Sequence, residues 1–376
     1  MPTPTPSRLL ARLDASIAQS VSPFEQACLQ AERAALRARQ GHLDEAREIV
    51  RSLQPAVTGA RRRNPAPALS AWLLVAEGLI EHYSALLPAA RDKLARAHEI
   101  ATLAQIARLQ SLTAAWLAHM DYVRNDMGSM LVHLRRALTL AEPDHHGARA
   151  RANLVAAQAY HFTGQYERAQ PWYQRARHHA NADGDETTLS ALMHNMAWLH
   201  GTQAREAQLF GNGDELRLRL AAMGADSTGH FDAGIGTASL ASLVPMLRAL
   251  LMVLRGEHAS ALALYEAHLD EARRDGLTRM EPCFLADMAW CQWQLGRSDD
   301  ALASARAALA AVEAHCDIDD RAVALQRVAR VFEALGLAPD AERARSRAAA
   351  DWRTHRNAQA QLLRALDDAL APLQPA

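Results

Sequence analysis

A glycine followed five residues later by alanine recurs along the chain. Gly41–Ala46 (GHLDEA), Gly164–Ala169 (GQYERA), Gly256–Ala261 (GEHASA), Gly296–Ala301 (GRSDDA) and Gly336–Ala341 (GLAPDA) share the pattern, and looser copies end at Ala90 and Met130. Anchors at 46, 90, 130 and 169 step by 44, 40 and 39 residues, and those at 261, 301 and 341 by 40 and 40. The 92-residue gap from 169 to 261 leaves room for one degenerate copy and an insertion. A fixed step of this size prescribes a stack of two-helix units, each burying its apolar face on its neighbours.

Local chemistry agrees with helices. Alanine and leucine dominate and β-branched residues are sparse, which favours helix over strand. Within a unit, a first helix such as 149–162 carries small residues (Ala156, Ala157) where a neighbour must approach closely. The glycine then ends that helix, because a left-handed residue costs little without a Cβ. The alanine sits on the second helix where two backbones meet. Ser22-Pro23-Phe24-Glu25 reads as a capping box with proline in the first turn.

Ala157, Tyr160, Gly164, Tyr166, Ala169, Tyr173 and Ala176 together resemble the tetratricopeptide repeat family, in which a small residue and an aromatic precede Gly-x-Tyr-x-x-Ala. The resemblance covers residues 22–350. Its step is nearer forty than thirty-four residues, so it is similar to the long-helix variants found as sensor solenoids of bacterial regulators. It implies an all-α, right-handed solenoid of roughly eight helical hairpins with a C-terminal capping helix. The expected organisation is an N-terminal tail or cap (1–21), a first hairpin (22–54), a Pro/Arg-rich linker (55–67), repeats (68–210), a Gly-rich insertion or degenerate repeat (211–239), further repeats (240–350) and a capping helix with tail (351–376).

A formal net charge of −1 supplies no general attraction for nucleic acid or anionic membrane. The basic run Arg61-Arg62-Arg63 is too short to change that, so neither nucleic acid nor membrane insertion is expected. Cys28, Cys283, Cys291 and Cys316 show no zinc-ligand spacing and read as reduced thiols of a cytoplasmic protein. The pairs His145-His146 and His178-His179 point about 100° apart on a helix and do not converge on one ion. No nucleophile–base or paired-carboxylate arrangement stands out, and Gly234–Thr237 follows no strand and lacks the rest of a phosphate loop. No enzyme activity, metal or cofactor is therefore expected.

In the resembled family the first helices line the concave face. Aligning the units on their glycines places His119, Tyr122, Arg151, Gln158, His161, His194, Trp198, Met246, Leu250, Trp290 and Trp293 inward. Such aromatic, apolar and polar side chains suit a groove that takes a peptide or protein segment. A chaperone-type carboxylate clamp needs lysine and asparagine one turn apart there, whereas the one lysine, Lys93, falls on a second helix. The expectation is a non-enzymatic adaptor or regulator. The alternatives are a small-ligand-sensing solenoid of a bacterial signalling or transcriptional system and an accessory subunit of an enzyme using 211–239. Oligomeric state is left open.

Overall fold

The computed structural model describes residues 7–60, 67–235 and 241–373. Among them the regular structure is helical, without strands. Seventeen α-helices follow in order: α1 (Arg8–Gln19), α2 (Pro23–Arg39), α3 (Leu43–Ala60), α4 (Pro67–Ala85), α5 (Ala89–Leu103), α6 (Ala107–Val123), α7 (Met127–Leu140), α8 (His146–Phe162), α9 (Tyr166–Asp183), α10 (Glu186–Phe210), α11 (Glu215–Ile235), α12 (Leu243–Arg255), α13 (His258–Arg274), α14 (Glu281–Gln294), α15 (Ser298–His315), α16 (Ile318–Ala334) and α17 (Ala338–Leu370). They divide into two compact units, residues 1–192 with 230–240 and 363–376, and residues 193–229 with 241–362.

The recurring glycines do the same work each time. Gly41, Gly164, Gly256, Gly296 and Gly336 take φ of 86°, 79°, 79°, 77° and 75°, and each separates two packed helices. The next residue closes the turn on the preceding helix, as in Gln165 N–H to Tyr160 O at 3.0 Å and Arg297 N–H to Gln292 O at 2.8 Å. A C-terminal left-handed residue satisfies carbonyls that the helix leaves open. The looser copies keep the conformation without glycine: Asn125 (φ 59°) serves the turn before Met130, and Leu86 (φ 50°) the turn before Ala90. The anchors are buried in every copy, with Ala46, Met130, Ala169, Ala261 and Ala301 at 0 % exposure.

In the first unit α2 packs on α3, α4 on α5, α6 on α7 and α8 on α9. The first helices of these pairs also touch in succession, α2 on α4, α4 on α6 and α6 on α8. Its core runs through Leu69, Leu79, Leu94 and Leu117 from pair to pair. In the second unit α12 packs on α13, α14 on α15, and α14 on both α12 and α16. Fully burying one such leucine contributes about 1.5–3 kcal/mol, so the continuous apolar seam, not helix propensity, holds each stack together.

Several elements add to or differ from the sequence expectation. Within the expected tail or cap, Arg8–Gln19 form helix α1, packed on α2. Pro55 lies inside α3, which continues to Ala60. Its missing N–H costs one helical bond two residues past the buried Val50-to-Leu53 turn. The Arg61–Arg63 run lies outside the described residues. Most of 211–239 is helix α11, and its Gly224 is a packing residue: a Cβ there would lie 2.7 Å from the Ala197 Cβ. Gly236 and Thr237 lie outside the described residues. Residue 351 falls within α17, a continuous 33-residue helix that joins the last repeat to the expected cap. The Ser22 hydroxyl accepts from Glu25 N–H at 3.3 Å, while Glu25 turns to the Ser20 hydroxyl, so only half of the capping box forms.

Candidate functional site

The first unit carries a part-open cavity of about 70 Å³. Its wall is built from successive first helices: Glu32, Ala35, Leu36 and Arg39 of α2; Trp72, Val75 and Leu79 of α4; Leu112 and Trp116 of α6; Gly147 and Arg151 of α8; Thr188 of α10. The lining keeps register with the repeat. Trp72, Leu112 and Arg151 each stand eighteen residues before the anchors Ala90, Met130 and Ala169.

The remaining wall is α1 together with Asp183, which ends α9, and Asp185 in the turn that follows. Leu9 and Leu13 face the cavity and pack with Leu36, Leu10 and Leu29. Polar contacts fix the register of α1. Leu9 N–H donates to Gly184 O at 3.0 Å, Ser7 Oγ donates to Glu186 at 2.9 Å, Arg8 pairs with Glu186 at 2.8 Å, and Arg12 pairs with Asp183. Gly184, at φ 67°, brings the backbone so close that a Cβ would lie 2.8 Å from that of Arg8.

Arg39 and Arg151 supply the cavity's cations. The Arg39 Nη2 donates to both Asp185 oxygens at 2.8 and 2.7 Å and to Thr188 Oγ1 at 2.7 Å. Burial works to raise the Asp185 carboxyl, but Arg39 and the Thr188 N–H override it and hold the carboxyl below its usual value. Arg151 lies 4.0 Å above the Trp116 ring, is 3 % exposed and bonds to Tyr83. Burial lowers its affinity for a proton. Glu32 is raised to about 7 by burial and then by Asp183. His82 and His119 stand behind the wall with ring centroids 5.5 Å apart. Burial, and then Arg151, pushes His82 down to about 3 and His119 well below its ordinary value, so both are neutral beside the cation.

Of the residues expected to face inward, Arg151 lines the cavity and His119 packs edge-on against Trp116, centroids 5.7 Å apart. Further along α6 and α8, Tyr122 meets Phe162 edge-on, Gln158 is buried, and His161 Nδ1 lies 3.0 Å from the Tyr173 hydroxyl. The others belong to the second unit. There His194 and Trp198 pair at 6.0 Å, Trp290 and Trp293 pair at 5.0 Å, and Met246 and Leu250 are buried at 0 % and 2 %. Arg39, Trp72, Trp116 and all of α1 were not among the expected residues. Lys93, on α5, pairs with Glu77 at 2.7 Å and Glu81 at 3.2 Å.

Comparison with protein-family models and with curated proteins gives no match. Among the described residues no cluster of three or more histidine, cysteine or acidic side chains is arranged to hold a metal ion. No helix there is long and apolar enough to cross a membrane. The cysteines are free thiols, and burial raises Cys28 to about 11 and Cys291 to about 12, which leaves both protonated and weakly nucleophilic at neutral pH.

Proposed function

We propose that the protein is a non-enzymatic, tetratricopeptide-like regulatory solenoid whose first-helix face binds an amphipathic helical segment of a partner protein. The observation that carries this reading is α1 itself, an amphipathic helix seated by two leucines one turn apart on the wall made by α2, α4, α6 and α8. It is an internal stand-in for the partner helix. Its contacts define the chemistry recognised: aliphatic residues at i and i+4 in the cavity mouth, and arginines at i−1 and i+3 for Glu186 and Asp183. Apolar anchors supply the energy, and the charged rim fixes orientation.

Display of a randomised helical peptide library against the chain truncated before residue 21 tests this. Enriched peptides are expected to carry Leu, Ile or Met four residues apart, with basic residues one position before each. Enrichment with no such spacing, or none at all on a folded chain, overturns the reading.

A further inference from the structure

The first unit's cavity is lined by a buried guanidinium, Arg151, that has no ion-pair partner among the described residues and feels Asp185 only at longer range. Among the described residues four arginines are buried: Arg39, Arg151, Arg205 and Arg327. Three of them have carboxylate partners, Arg39 with Asp185, Arg205 with Asp287 and Asp320, and Arg327 with Asp287. Among the described residues no carboxylate pairs with Arg151, and its Nε has no hydrogen-bond partner although it is fully shielded from water. The ring of Trp116 and the Tyr83 hydroxyl are its neighbours, and both are weaker partners for a guanidinium than a carboxylate. A buried cation left in this condition is costly, so a retained one points to a missing anion.

We propose that this cavity is a binding site for a small monocarboxylate with a short aliphatic body, its carboxylate held by Arg151. The guanidinium presents paired N–H donors that match a planar carboxylate. Of the arginines at the cavity, Arg39 pairs with Asp185 and Arg12 with Asp183, which leaves Arg151 without an ion-pair partner among the described residues. A phosphate dianion would bring excess negative charge next to Asp185 and Glu32. The apolar part of the lining, Leu9, Leu13, Leu36 and Leu79, suits a branched alkyl group. The ligand would lie beneath α1 and contact it, so binding stabilises the docked state of that helix. This inference does not depend on what replaces α1, and its failure leaves the polypeptide reading untouched.

Isothermal titration of the full chain with isovalerate, isovaleramide and inorganic phosphate tests the proposal, with thermal unfolding followed in parallel. Isovalerate is expected to bind saturably and raise the unfolding temperature. The isosteric neutral amide is expected to bind at least tenfold more weakly, a comparison that needs no variant. In Arg151→Met, which keeps a flexible apolar side chain on Trp116, isovalerate affinity is expected to fall at least tenfold. The proposal is overturned by absence of saturable isovalerate binding, by equal binding of the amide, by binding of phosphate alone, or by undiminished affinity in a folded Arg151→Met chain.

Discussion

Acidification from about pH 7 to about pH 4 unfolds the first unit before the second. Burial holds His82 at about 3 and His98 and His145 at about 4, and pushes His119 lower than its ordinary value as well. All four are in the first unit. A histidine whose folded value lies below its unfolded value of 6.5 contributes stability that is complete above 6.5 and is lost as pH falls toward the folded value. Each shift of this size corresponds to roughly 3 kcal/mol, an order-of-magnitude figure. The losses at His82, His98 and His145 together are comparable with the ~5–15 kcal/mol that holds an ordinary domain together, and His119 acts in the same direction.

One group in that unit works the other way. Glu32, raised to about 7, costs stability above that value, and the cost vanishes as pH falls to 4.5. It offsets about one histidine. The second unit is more evenly balanced: His194 and His200, each at about 4, are opposed by Glu206, raised to about 8, and by the buried Asp320, also raised. Hydrogen exchange resolved along the chain reads the two units separately. Loss of protection in α4–α8 between pH 6.5 and 4, ahead of α12–α16, is expected. Simultaneous loss, or earlier loss in the second unit, contradicts the account.

Asp287→Ala destabilises the second unit by about 3–5 kcal/mol, because it removes the carboxylate around which that core is charged. Asp287 is 1 % exposed, accepts from Arg327 Nε at 2.9 Å and from the Tyr265 hydroxyl at 3.3 Å, and lies 3.7 Å from Arg205. Deleting it leaves Arg327 with the Gln208 amide oxygen at 3.3 Å and the Trp290 ring, neither of which carries a negative charge. Arg205 keeps Asp320 at 3.3 Å, so the loss falls mainly on Arg327. By contrast, Glu333→Ala breaks a pair with Arg345 in which both side chains are well exposed, and is expected to cost under about 1 kcal/mol. Urea unfolding of both variants provides the comparison. Equal effects would show that the buried charges are compensated by something other than Asp287.

The turns were legible in the sequence because their requirement is local. A left-handed residue selects glycine, and the alanine after it must be small, so spacing alone located them. Arg151 and His119 were reached by extending that register inward. The same register, carried into the first two pairs, points to Trp72 at the position equivalent to Arg151. Trp116 lies one turn before His119 and was equally within reach. Arg39 was not, since its place depends on Asp185, 146 residues away. Helix α1 carried a signal in Leu9, Leu10 and Leu13, but an amphipathic stripe does not say what covers it. The glycines of 211–239 left an insertion and a degenerate repeat both open for a physical reason: glycine marks a break when backbone freedom is used and a contact, as at Gly224, when lack of volume is used, and the sequence does not distinguish them.

Fluorescence anisotropy of a labelled peptide of residues 7–20, titrated with the chain truncated before residue 21, tests the central claim most directly. Saturable binding is predicted, with at least tenfold loss when the peptide carries Leu9→Glu and Leu13→Glu, and much weaker binding to the full chain, whose own α1 occupies the face. A folded truncated chain that does not bind the peptide, or binds the doubly substituted peptide equally well, would contradict a helix-binding first-helix face.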